Sequence, residues 1–496
     1  MRKKLNRYPP FSLYLVFAIL GLYYLTLIGR FNLNIFTPES MGGINAHVWQ
    51  RFIEGFWDVD PTDGGFELYL HEGRYYVYFG FFPTLVRGLL TLFYPTSVHL
   101  ERLELLIPAL LWIVGIYLMI KEFALLSGKR AFLGWTLLIV LAIGSPIVYI
   151  LTPAHVYHIA IIWSVGLAAI YNWYFVRFVL RPNTRTLSNF VILGILAGMI
   201  TLSRATLGIS AFLLLAILGV ILVYPQFKKS PLQSFRSLPS FSIKQLAVIA
   251  VVWIISGSAT LFVNYKRFGN AFTTMPLEEY ILFSNGAGEF NVRGKEYLSS
   301  GTMRLDCIIP QLEFYFWPHG DNFVPVSPYF LTSKVTLTSS FARYLDNREA
   351  TIPLTLSAPV LLLLTLISLF NWKKPWGNPD SNEKNLFSLV YFVWLVPILF
   401  LISYWAACLR YTVDFLPFLT LGSCLALYQI KGLKNSIIDT MPFKLTIVAL
   451  ALTSVFVVHS TYLIYAITNI LVPPQDRDFL ASKFTSGIQF GPPPAK

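Results

Sequence analysis

The chain has 496 residues, of which 55% are hydrophobic and only 13% charged, and its mean hydropathy is +0.60. A soluble domain carries roughly 25% charged residues, so this composition excludes a disordered chain, a coiled coil, a disulfide scaffold and nearly every soluble enzyme. It leaves a polytopic helical membrane protein, in which the net charge of +13 belongs on one face of the membrane and requires no nucleic-acid partner.

A crossing needs roughly 20 mostly apolar residues. The first candidate is preceded by Arg2, Lys3, Lys4 and Arg7 and is followed by no small-residue cleavage site, so it reads as a retained anchor rather than a signal peptide. The apolar runs predict eleven spans: 12–29, 103–126, 131–151, 155–178, 187–203, 206–224, 245–263, 351–371, 385–405, 411–430 and 444–471. With the N-terminus in the cytoplasm, the inner segments hold twenty basic residues against four acidic ones, Glu122, Asp380, Glu383 and Asp439. The positive-inside rule selects that orientation. It leaves 1–471 as one transmembrane domain and 472–496 as a short extracytoplasmic tail. The two halves show no sequence repeat. Glu104, Arg204, Arg410 and Asp414 stand near outer helix ends, with no charge at mid-membrane, which counts against an ion-coupled carrier.

Two long segments, 30–102 and 264–350, lie outside in this scheme. In the first, Val48 to Phe56 reads as an amphipathic helix lying in the interface, with Val48, Phe52 and Phe56 four residues apart. Asp58, Asp60 and Asp63 follow in a Gly- and Pro-rich stretch that reads as loop. Three carboxylates there could hold a divalent cation, supply a general base, or be solvated. Glu72 to Phe82 reads as a turn leading into a short helix that begins at Pro83. His155 and His158 open the fourth span and suit polar packing at a helix end better than a metal, for which no third ligand is evident. Among the cysteines, Cys424 falls inside a span, and a Cys307–Cys408 bridge is the one pairing the layout permits.

Arg204 ends the fifth span, Lys266 and Arg267 end the seventh, and Arg410 opens the tenth. On an α-helix Arg410 and Asp414 share a face and suit an ion pair. A guanidinium at the outer leaflet also suits bidentate binding of a lipid phosphate. Lys266 and Arg267 are alternatively rim charges in water.

The layout resembles the membrane glycosyltransferases of the C superfamily (GT-C). The likeness is carried by the long first outer loop, by Gly73-Arg74-Tyr75-Tyr76 with Gly80 and Pro83, and by Gly194, Ala197-Gly198 and Ser203-Arg204. It is also carried by Asn264 with Arg267-Phe268-Gly269 and by Arg410-Tyr411 with Pro417, so it covers about residues 1–430. The resemblance implies an all-α membrane fold of about eleven helices, with interfacial helices in two outer loops. It implies transfer of a sugar from a polyprenyl-phosphate donor to a glycan, lipid or protein acceptor on the outer face of a bacterial inner membrane, with inversion. Arg204, Arg267 and Arg410 would hold the donor phosphate; Arg74, Tyr75, Tyr76 and Asp414 would contact substrate. No cofactor is implied beyond the cation that the acidic loop could hold. Two departures stand out. The family's early catalytic acid has no counterpart in Met41–Asn45, which moves the role to Asp58 or Asp60, and only 472–496 follows the last span where many members carry a soluble domain. Two alternatives stay open, a non-catalytic lipid-handling or translocating protein and a polysaccharide polymerase or ligase.

Overall fold

The computed structural model describes residues 11–39, 41–64, 67–95, 97–128, 131–223, 241–273, 277–283, 289–318, 346–347, 352–371, 382–429, 440–468, 472 and 474–484. Nearly all of it is helix. In chain order the elements are α1 (Phe11–Ile28), α2 (Ile44–Ile53), α3 (Pro61–Gly64), β1 (Tyr69–His71), β2 (Arg74–Tyr76), α4 (Phe82–Leu90), α5 (Glu101–Glu122), α6 (Ala131–Ile143) and α7 (Val156–Leu180). They continue with α8 (Leu187–Ser203), α9 (Ala205–Val223), α10 (Ile243–Phe268), α11 (Val292–Ser300), α12 (Ile308–Phe316), α13 (Leu354–Ser357), α14 (Pro359–Phe370) and α15 (Asn382–Val393). The last are α16 (Leu395–Ser403), a 3-10 helix over Leu409–Phe415, α17 (Leu416–Gln429), α18 (Met441–Thr468) and α19 (Pro474–Phe484).

Among the described residues, six helical stretches are long and apolar enough to cross a membrane: α5, α7, α9, α10, α18, and the 3-10 segment continued by α17. Shorter apolar helices stand at the other five expected spans. The chain is an integral membrane protein by these helices. Its surface is built for lipid. On α10, Val251, Ile254, Ile255 and Phe262 are exposed, and only the residues facing α8 and the outer end are buried. α4 is apolar on its outside and polar on its inside. Leu89, Leu92 and Phe93 at its end are exposed, while Arg87 is buried against Glu104 at 3.4 Å. Polar-in and apolar-out is the polarity a helix needs when hydrocarbon is the solvent.

The main core joins α5, α6, α7, α9, α14 and α17. Its large side chains satisfy their polar tips: Tyr24 donates to the Ala142 carbonyl at 2.7 Å, Trp112 to Leu141 at 3.1 Å, and Trp394 to the Asn172 side chain at 2.7 Å. An unmade bond at these depths would cost about 1–3 kcal/mol. The three cysteines are buried and none is in a disulfide, so the permitted Cys307–Cys408 bridge does not form.

Segment 30–102 differs from its sequence reading in three places. The interfacial helix runs over Ile44–Ile53, earlier than Val48–Phe56, because Gly55 turns the chain in the left-handed region. The acidic loop contains the short α3. The expected turn at 72–76 is the corner of a hairpin, with Tyr69 opposite Tyr76 and His71 opposite Arg74. Glu72 and Gly73 both have positive φ, +49° and +76°, which is the backbone a two-residue hairpin corner requires.

A buried charge network ties the ends of this region together. Arg30 and Arg102 both grip Glu39 and Asp476; Arg102 Nε lies 2.6 Å from Glu39 and Arg102 Nη2 3.2 Å from Asp476. The residues expected to form a tail thus include α19, which docks on the loop after α1.

Candidate functional site

Four backbone devices bring distant segments to one place. Ser242 caps α10 through a capping box with Gln245. At the other end Gly269 stops it in the left-handed conformation, φ +66°, so the last turn presents Asn264 and Arg267. α8 and α9 are separated by a single extended residue, Arg204, whose backbone has φ −156° and ψ 113°. Gly80, leaving the hairpin, lies against the carbonyls of Leu202 and Ser203 so closely that a Cβ would overlap both. This contact seats the hairpin exit on the α8–α9 junction.

The result is a cavity of about 270 Å³. Its walls are Tyr78–Phe81, the start of α7 at Tyr157, the α8–α9 junction from Thr201 to Thr206, the outer end of α10, the end of α16, and Arg410 with Tyr411. Arg204, Arg267 and Arg410 all line it. These are the three arginines expected at a phosphate, and the fold draws them from three separate places in the chain.

Their surroundings differ. Arg204 is held by Asp414 through Nε at 2.8 Å and Nη2 at 2.7 Å and lies 5.1 Å over the Tyr411 ring. Arg410 stacks 4.3 Å over Tyr157 and 5.6 Å from Tyr411. Arg267 is 3% exposed; Nη1 donates to the Phe79 carbonyl at 2.9 Å, the guanidinium lies 5.5 Å over Phe81, and Nε has no partner. Among the described residues no carboxylate pairs with Arg267. The hydroxyls of Thr206 and Thr260, also on the cavity wall, are unpartnered as well. Burying a cation without a counter-charge is costly, so this wall is incomplete without an anion.

Asp414 is corrected on two counts. It pairs with Arg204 through Oδ2 rather than with Arg410, and it is buried and off the cavity wall. The i,i+4 arithmetic assumed an α-helix, but Leu409–Phe415 is a 3-10 helix. At 3.0 residues per turn, residues four apart no longer share a face.

Arg74, Tyr75 and Tyr76 are not on the cavity wall: Arg74 is exposed at the hairpin corner, Tyr75 pairs with Val59 through the backbone, and Tyr76 packs on Phe268. Asp58 and Asp60 do not line it either. Asp58 is paired with Arg51 at 2.7 Å. Asp60 accepts from the Thr62 hydroxyl at 2.6 Å and its N–H at 2.9 Å, and those bonds hold its carboxyl below the usual range, which weakens it as a base. Asp58 and Asp60 thus engage separate partners, and the side chain of Asp63 lies outside the described residues. No group of three metal-capable ligands converges among the described residues. His155 caps α7 by accepting from the His158 N–H at 3.4 Å, in keeping with helix-end packing.

One acid behind the cavity wall was not singled out in the sequence. Glu67 is 6% exposed and is hydrogen-bonded by the phenols of Tyr280 and Tyr78; Tyr78 itself faces the cavity. No basic side chain pairs with it among the described residues. Burial pushes the Tyr78 phenol well above its ordinary range, so it remains a hydrogen-bond donor. The only sequence signal is that Glu67 sits inside an apolar run, Phe66 to Tyr69, where a solvated acid would not be expected.

Neither a protein-family model nor a curated protein sequence matches the chain. Its structure is similar to the Archaeoglobus fulgidus oligosaccharyltransferase in the apo form, at 15% identity and TM-score 0.48 over 97% of this chain and 62% of that one. It is similar to the same organism's AglB in complex with an inhibitory peptide and a dolichol-phosphate, at 16% identity, TM-score 0.48 and the same coverage. It is also similar to ArnT from Cupriavidus metallidurans bound to undecaprenyl phosphate, at 12% identity and TM-score 0.44 over 92% of this chain and 76% of that one. The chain spans about three fifths of the archaeal chains. At such TM-scores the likeness assigns no function, and the chemistry is read from the residues.

Proposed function

We propose that this chain is a multi-pass GT-C-type glycosyltransferase with eleven crossings, a cytoplasmic N-terminus and its cavity on the outer face of a bacterial inner membrane. It takes a sugar from a polyprenyl-phosphate donor and passes it, with inversion, to a glycan, lipid or protein acceptor. The observation that carries this reading is Arg267, a buried guanidinium with no carboxylate partner among the described residues, lining one cavity with Arg204 and Arg410. Leaving-group charge grows as the sugar–phosphate bond breaks, and cations already fixed in place stabilise it without reorganising. An isoprenoid chain fits the setting, because α10 offers lipid an apolar face and ends at the cavity.

Binding of undecaprenyl phosphate to the full chain in lipid nanodiscs tests this. The Arg267→Met variant is expected to bind at least tenfold more weakly, about 1.4 kcal/mol or more, with its thermal transition retained. Wild-type binding by Arg267→Met, Arg204→Gln and Arg410→Gln alike would remove the basis of the reading. A second reading, lipid handling without chemistry, is favoured by the position of Asp58 and Asp60 outside the cavity wall. It predicts binding with no release or transfer of labelled sugar.

A further inference from the structure

We infer that Glu67 is the terminal proton acceptor of the transfer reaction, reached from the cavity through the phenol of Tyr78. This rests on reading the cavity as the donor site. An acceptor hydroxyl attacking a sugar must shed its proton, and among the described residues no carboxylate lines the cavity. Glu67 stands one phenol behind the wall. It is buried, no cation pairs with it among the described residues, and it receives hydrogen bonds from Tyr78 at 3.4 Å and from Tyr280. Tyr157, on which Arg410 stacks at 4.3 Å, lies beside Tyr78 with ring centroids 6.5 Å apart, so the relay phenol is close to a guanidinium of the proposed phosphate site.

The step balances without any other reactant. The acceptor oxygen forms a bond to the anomeric carbon, and the bond from that carbon to the phosphate oxygen breaks, its electron pair leaving on the polyprenyl phosphate. The acceptor's proton goes to the oxygen of Tyr78 as that phenol gives its own proton to Glu67. The phenol ends as it began and Glu67 ends protonated. A purely structural Glu67 would instead do no more than pin the second outer segment, through Tyr280, to the first.

Glu67→Gln separates these roles, because an amide oxygen still accepts the phenolic bonds but takes up no proton at neutral pH. Two readouts on the full chain in nanodiscs decide the matter. The first is release of labelled sugar from undecaprenyl-phosphate-linked glucose, galactose and mannose. Glu67→Gln is expected to lose at least 100-fold in rate and the acid limb of the pH profile, with undecaprenyl phosphate binding and thermal transition unchanged. The variant Tyr78→Phe is expected to lose the same with Glu67 in place. The second readout needs no matching sugar: the infrared band of the protonated carboxyl, identified by its disappearance in Glu67→Gln. The titratable groups facing Glu67 are Tyr69, Tyr78, Tyr157 and Tyr280, with Arg410 on Tyr157. An anion bound in the adjacent cavity is expected to shift this band's midpoint to higher pH. Glu67→Gln transferring at the wild-type rate, or a midpoint unmoved by bound undecaprenyl phosphate, overturns the role of Glu67 alone. Failure of the wild-type chain to bind undecaprenyl phosphate overturns the donor reading, and this role with it.

Discussion

Four of the acids between residues 30 and 102 have different surroundings, and those surroundings set what each acid can do. Asp58 neutralises Arg51, Asp60 folds its own turn, Glu39 joins two buried arginines, and Glu67 is bonded by phenols alone. Asp58→Asn and Asp60→Asn are accordingly expected to keep undecaprenyl phosphate binding and sugar release within about twofold, since exposed or partly exposed pairs contribute about 0–1 kcal/mol. Loss of release in either variant at intact binding would return the base to the acidic loop. At this scale the sequence was readable for cations and poorly readable for acids. An arginine at the outer end of an apolar helix has few places to go, so Arg204, Arg267 and Arg410 could be singled out from position alone. Which acid is solvated and which is buried depends on tertiary neighbours such as Tyr280, which lies 213 residues from Glu67.

Helices were legible because each apolar run is one helix or two. The exceptions have local causes. The hairpin of β1 and β2 was hidden because its corner is Glu72-Gly73, not the usual Asn-Gly or Asp-Gly. Its strands are also three residues each, too short for alternation to show. The 3-10 segment before α17 was hidden inside an apolar stretch, and with it the true partner of Asp414. That partnership makes Asp414 a positioning residue: it anchors the α8–α9 junction to the 3-10 segment. Asp414→Ala leaves Arg204 with a buried charge and no counter-ion, and is expected to cost about 3–5 kcal/mol, read as a lowered thermal transition. Undecaprenyl phosphate in saturating amounts is expected to recover part of that loss, because a bound phosphate supplies the missing negative charge. No recovery would mean that Arg204 does not meet the lipid phosphate.

Across the molecule, the four-charge knot of Arg30, Glu39, Arg102 and Asp476 fastens α19 to the start of the first outer loop and to α5. Both arginines are almost wholly buried, so removing one acid strands charge in the interior. Asp476→Ala is expected to release α19, giving new protease cleavage between 474 and 484 while the apolar core stays protected. Unchanged cleavage would show that the apolar contacts of Leu480 with Ala466 and Ile467 hold α19 without the charges.

α10 also sets how ligand concentration should be counted. One side of this helix meets hydrocarbon, through Val251, Ile254, Ile255 and Phe262, and its outer end carries Thr260, Val263, Asn264 and Arg267 to the cavity. The partition between bilayer and cavity is there a single helix thick. If the cavity takes a lipid-borne donor, as proposed, that donor diffuses in two dimensions and brings its headgroup alongside this wall while its tail stays in the leaflet. The governing variable is then the donor's mole fraction in the membrane. Diluting the vesicles at fixed lipid composition should leave occupancy unchanged, whereas diluting the donor within the bilayer should empty the site.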